Sequence, residues 1–177
     1  MTVGNAVARS VERTRAIFTR RPTAARARKT ATARLVGGGW QTEVRLGGHT
    51  LLVDQPVALG GTDGGPSPGD LIRASLAACL VQSYAMHAAR FGVGLRGIAV
   101  EVETEIDLRM AWGIEAPSPP GFGAIRYTAT LDTDAPAAPV EALAAYVLVH
   151  SPSVDDLRRA VPLEGCTIIR RPVDPSA

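Results

Sequence analysis

Cysteine is scarce in this chain of 177 residues: there are two, Cys79 and Cys166, far apart, with no C-x-x-C pair and no Cys/His cluster at ligand spacing. That argues against a structural zinc, and no metal site is expected. Long apolar runs are absent too. Nothing approaches the roughly 18 consecutive apolar residues of a membrane span, and Arg73 interrupts the best stretch. No apolar leader core follows Met1, so a reducing cytoplasm is the expected location, with no membrane partner. Net charge is only +2, which leaves no global polycation to hold nucleic acid. Lysine is all but missing, one against eighteen arginines, a bias that points to a GC-rich genome and not to a function. The glycine-rich run at 60–65 (GGTDGG) lacks the lysine and downstream Ser/Thr of a phosphate-binding loop, which argues against nucleotide binding.

What the chain does have is one stretch with complete helix punctuation, Gly60 to Gly92. Ser67 is placed as N-cap, Pro68 occupies the first helical position, and Asp70 closes an S-x-x-D capping box at the positive end of the helix dipole. Gly92 offers a left-handed residue past the end, with Arg90 in the last turn. Leu71, Ile72, Ser75, Cys79, Gln82, Met86 and Ala89 recur at three- and four-residue spacing and share a face. The small residues between them suit close packing. The spacing predicts a long, central, buried helix with Cys79 near its middle.

The first 29 residues differ from the rest. They hold seven Arg and Lys29 against the single acid Glu12, leaving this segment near +7 and the remainder near −5. Val3, Val7, Val11, Thr14 and Phe18 fit one side of a helix. Three readings stay open: a helix packed on the body or on a partner subunit, a basic arm, and an organellar transit peptide. From residue 30 to 177 the chain reads as one domain.

Strands follow in three short runs, Thr30–Val36, Gln41–Leu46 and Thr50–Val53, divided by Gly37-Gly38-Gly39 and by the hairpin signal Gly47-Gly48. After the long helix, Gly97–Leu108 alternates without a fault. Ile98, Val100, Val102, Thr104, Ile106 and Leu108 point one way, and Glu101, Glu103, Glu105 and Asp107 the other. Ala124–Asp132 alternates likewise, with Arg126 placed to face the acidic row. That row has the period of any half-solvated strand, and it is read as a solvated face. The connecting segment Arg109–Gly123 carries Trp112 and ends by Phe122, two candidate lining residues for an apolar binding pocket. A second helix is expected over Val140–Val149, then a turn of helix capped by Ser153 and Asp156, then a last strand around Leu163–Ile169. Three strands, a long helix, two strands, a helix and a strand make an α+β fold, with helices against antiparallel sheet. Two such small-residue helices are hard to cover in one subunit, so a homodimer is expected.

The string LGGTDGGPSPGDLIRASLAACL, the helix ending AARFGV and the strand LRGIAVEVETEIDLR resemble the OsmC/Ohr family, the osmotically inducible and organic hydroperoxide resistance proteins. PGFGAIRYTATLDTDAP and HSPSVDDLRRAVPL are similar to the family's second half, in a subgroup with Ser-Pro where others have Cys-Pro. The likeness runs from about Thr30 to Ile169. It implies an intertwined α+β homodimer with two interface sites, and thiol-dependent reduction of organic hydroperoxides with no metal or organic cofactor. Cys79 falls on the family's peroxidatic cysteine, and the second cysteine position falls on Ser151. The family's glutamate position holds Gly69. Its arginine position falls within Gly37–Gly39, with Arg34 and Arg45 the nearest arginines and Asp70 the nearest acid.

A peroxidatic cysteine must be a thiolate held by cationic or hydrogen-bonding groups. Attack on an O–O bond makes it a sulfenic acid, which a second thiol condenses with. Ser151 has no thiol and Cys166 does not match that position, so Cys79 as an enzyme needs an external thiol reductant. The competing expectation is a non-peroxidase relative that holds an apolar small molecule in the dimer pocket, with Cys79 a small buried hydrophobe. His87, two turns beyond Cys79, reads as a surface or interface histidine; His49 and His150 have no evident partner.

Overall fold

The alternating stretch forms β4 (Leu95–Ile106), paired antiparallel along nearly its whole length with β5 (Phe122–Thr133). Val102 lies opposite Tyr127 and Glu103 opposite Arg126, so the pleat sends one row to the helices and one to solvent. Arg126 reaches diagonally to Glu105 as an exposed ion pair. The computed structural model describes residues 4–170, with side chains from residue 6 onward. Val3 and residues 171–177, assigned above to the first helix and to the single domain, lie outside the described residues.

A second sheet precedes this ribbon. The strands β1 (Ala31–Leu35), β2 (Thr42–Leu46) and β3 (His49–Val53) make an antiparallel meander that does not hydrogen-bond to β4 or β5. All five residues of β1 are exposed. The helices are α1 (Gly4–Arg20), α2 (Pro68–His87), α3 (Ala137–His150) and α4 (Pro152–Arg158). The capping box at the start of α2 is present in both directions: Ser67 N–H donates to Asp70 Oδ2 at 2.8 Å, and Asp70 N–H to Ser67 Oγ at 3.3 Å. Among the described residues, no helix is long and apolar enough to cross a membrane.

The core lies between α2, the inner face of β4–β5, α3 and α4. Leu80, Leu143 and Val147 are wholly buried there, with Leu76, Tyr84, Ala88, Val93, Leu95 and Val154 around them. Each large aliphatic side chain so placed stabilises the fold by about 2 kcal/mol relative to exposure. The buried face of α2 is therefore Leu76-Leu80-Ser83-Tyr84. The face expected to be inside carries Ile72 and Met86, both 44% exposed, and the half-buried Cys79. α2 is apolar on most sides, and the sheet takes one of them.

Two further expectations are corrected. Residues 161–170 hold no strand; Leu163 is 97% exposed, and among the described residues no strand pairs with this segment to satisfy its backbone. The short helix α4 starts one residue before its expected cap, so Ser151 and not Ser153 takes the N-cap position, without a side-chain cap bond.

Candidate functional site

The glycine segment that feeds α2 is pinned by one carboxylate. Asp54, only 2% exposed, accepts from Thr62 Oγ1 at 2.7 Å and from the backbone N–H groups of Gln55, Thr62 and Gly64 at 2.7, 3.0 and 3.1 Å. The Thr62 hydroxyl, with the backbone donors behind it, holds its pKa down to about 2 against the opposing effect of burial. The loop closes so tightly that a Cβ on Gly61 would stand 1.8 Å from the Gln55 carbonyl oxygen, and one on Gly65 2.1 Å from that of Leu52. Only glycine fits at these two places. Sequence and clamp together fix where α2 begins, and with it where Cys79 stands.

From the middle of α2, Cys79 faces the junction of α3 and α4. Its Sγ lies 3.3 Å from Ser151 Oγ, at the junction residue, which is 1% exposed. Burial pushes the thiol pKa up; hydrogen bonds from Ser151, from the hydroxyl and N–H of Ser153, and from Ser83 outweigh it, and the value falls below the ordinary cysteine range. The Ser151 hydroxyl points at the sulfur instead of capping α4. The arrangement can hold a sulfur anion, or a sulfenate, in a nest of neutral donors.

Two clefts flank the sulfur's neighbours. One of about 330 Å³ is walled by Leu76, Phe122, Ile125, Tyr127, Leu148 and Val154, with Arg158 at its edge. The other, about 260 Å³, runs between α2 and α4 past Ser75 and Ser153. Arg73 lies above the first, donating to Thr104 Oγ1 at 2.9 Å, with its guanidinium 6.0 Å from the Phe122 ring centre. The second cleft, mostly apolar in its walls, suits an apolar small molecule.

The residues singled out in the sequence fall in several places. Cys79 and Ser151 meet; Cys166 is exposed on the 161–170 segment. Phe122 lines the first cleft, whereas Trp112 lines a separate open one of about 420 Å³ with Leu59, Leu108 and Ile114, its ring 6.1 Å from that of Trp40. Arg34 and Arg45 both bind Glu43, at 3.0 and 2.9 Å, on the exposed first sheet. Asp70 is a helix cap, paired besides with Arg73. His87 packs on Tyr146 and lies about 12 Å along the helix from Cys79. Ser83, Ser153 and Arg73 are the site residues that sequence reading missed. Ser83 had a signal in its i+4 spacing from Cys79, and Ser153 and Arg73 had none. Among the described residues, no three His, Cys, Asp or Glu side chains gather as metal ligands.

The sequence model of a family described as OsmC-like protein matches residues 61–164. No curated protein matches the chain by sequence. In structure it is similar to an OsmC-like protein from Mycoplasma pneumoniae, with a TM-score of 0.66, 14% identity, and coverage of 76% of this chain and 89% of that one. An organic hydroperoxide resistance protein OsmC from Legionella pneumophila aligns with a TM-score of 0.51 and 21% identity, over 75% and 90% of the two chains. The organic hydroperoxide resistance protein OhrB of Bacillus subtilis gives 0.51 and 21%, over 76% and 93%. At these identities the likeness establishes the fold.

Proposed function

The chain belongs to the OsmC-like protein family, and from that premise we propose that it reduces organic hydroperoxides through Cys79 with an external thiol. The observation that carries this reading is the half-buried sulfur held 3.3 Å from a serine hydroxyl, with its helical neighbours Ser75 and Leu76 lining the clefts between α2 and α4. The Cys79 thiolate attacks the outer peroxide oxygen; the O–O bond breaks, Cys79 becomes a sulfenic acid, and the alkoxide leaves as the alcohol after taking a proton. One external thiol then displaces water to give a mixed disulfide. A second releases Cys79 and departs as the oxidised disulfide. A reducing cytoplasm supplies such thiols.

Brief exposure to about one equivalent of an alkyl hydroperoxide with a sulfenic-acid trap is expected to label wild type at Cys79 and leave Cys79→Ser unlabelled there. An unreactive thiol in the folded protein, labelled only after denaturation, would overturn the proposal. The second reading, a binding protein for an apolar small molecule, is favoured by the commitment of Arg34 and Arg45 to Glu43, which leaves the sulfur with neutral donors.

The working unit of this reading is a homodimer of one domain over residues 30–177, with residues 1–29 an extension. The exposed strand β1 and the exposed Ile72 and Met86 side chains of α2 are the surfaces a second copy would cover. Sedimentation at micromolar concentration is expected to give twice the chain mass; a stable monomer would refute the assembly.

A further inference from the structure

The helix α1, outside the family match, forms a cleft with the end of α2, inside it. α1 lies across the C-terminal end of α2 and encloses about 230 Å³ between Val11, Glu12, Arg15, Met86, His87 and Arg90. Arg15 comes from α1; His87 closes α2, and Arg90 follows it in the next turn. From α3, Tyr146 and His150 pack against these residues. Tyr146 stacks on His150 with ring centres 3.7 Å apart, meets the edge of His87 at 4.9 Å, and accepts a 2.9 Å hydrogen bond from Arg90, whose guanidinium lies over its ring. His150 is 6.3 Å from His87.

Charge here is one-sided. Arg15, His87 and Arg90 line the cleft with Glu12 the one acid among the lining residues, and His150 stands behind His87, its ring nitrogen at the Tyr146 carbonyl. Burial first, and then the nearby charges of His150, Arg90 and Arg15, hold the His87 imidazole below its usual value. The arginines cannot shed their protons, so what completes the cluster is an anion.

We propose that the α1–α2 cleft binds a small doubly charged oxyanion of the sulfate or phosphate class, bridging Arg15 to His87 and Arg90 and fastening the N-terminal helix to the body. Bound anion favours protonated His87. Binding therefore takes up a proton at His87 and tightens as pH falls through the histidine range.

Sodium sulfate, whose charge is constant over that range, is titrated into the full chain against sodium chloride at equal ionic strength, following the histidine ring signals by NMR. Saturable sulfate-specific shifts of His87 are expected. Arg15→Ala is expected to weaken them about tenfold, the size of one charge-assisted contact. Arg9→Ala, on α1 but outside the cleft lining, leaves them unchanged, and His87→Gln retains binding at pH 8 but loses its pH dependence. Inorganic phosphate in place of sulfate is expected to bind the same residues. Shifts that chloride matches, or equal weakening by Arg9→Ala and Arg15→Ala, would reduce the cleft to diffuse attraction by a basic segment and overturn the site.

Discussion

Ser151→Cys is expected to turn Cys79 from a thiol that stops at sulfenic acid into one that closes a disulfide within the chain. The serine oxygen stands 3.3 Å from the Cys79 sulfur. A disulfide needs about 2.05 Å, and the longer C–S bond of cysteine covers part of the gap. The neighbourhood is already set, because Ser151 is 1% exposed and its N–H is tied to the Val147 carbonyl at 2.9 Å. Attack by a tethered thiol has an effective concentration above that of millimolar external thiol. After one equivalent of hydroperoxide, wild type is expected to gain one oxygen, whereas the variant loses two hydrogens. Turnover with a dithiol reductant should rise about tenfold or more. A variant that still accumulates the sulfenic acid would show that the two side chains do not approach in solution as they do here.

The second large effect lies away from the sulfur, in the glycine clamp. Gly65→Ala must displace either the Leu52 carbonyl, 2.1 Å from the new methyl group, or the loop itself. Both are backbone, so relief is costly, and a loss of about 3 kcal/mol or more is expected. Chemical denaturation measures it directly; a loss below about 1 kcal/mol would mean the loop has room to move. Asp54→Asn probes the same clamp by charge. The native carboxyl titrates near 2, below its unfolded value. Its contribution is therefore complete above the unfolded pKa of about 4 and disappears as pH falls through about 2. Wild type is expected to lose stability over that window more steeply than Asp54→Asn, whose amide does not titrate. Parallel acid profiles would remove Asp54 from the account.

The features legible in sequence were those set by local chemistry. Ser67, Pro68 and Asp70 announced the start of α2, because capping groups act within three residues. The alternation from Ile98 to Ile106 gave β4 to within two residues at either end, since the pleat has a period of two. What failed depends on distant partners. The helix α2 is apolar on most sides, so spacing could not say that Leu76, Leu80 and Tyr84 would meet the sheet while Ile72 and Met86 stayed outside. The segment at 163–169 has strand-like composition, but a strand exists only where a neighbour supplies the other half of its ladder. At the site, Cys79 could be placed on its helix and Ser151 at the second cysteine position of the family it resembles, whereas Ser153, more than seventy positions along the chain from Cys79, became visible only with the α3–α4 junction. His150 had no evident partner in sequence and His87 read as a surface or interface histidine; Tyr146 packs against both rings.

The separation of the two sheets has a consequence for how the protein survives its own synthesis. A three-stranded meander and a two-stranded ribbon that do not join leave four edge strands, β1, β3, β4 and β5, each with a row of backbone groups open to any passing chain. The charges along them act as gatekeepers: Arg34 stands on β1, and Glu101, Glu103 and Glu105 on β4. Until those edges find their cover, the newly made chain is at its most prone to aggregate, and the yield of native protein is set by a race between correct closure and indiscriminate strand pairing.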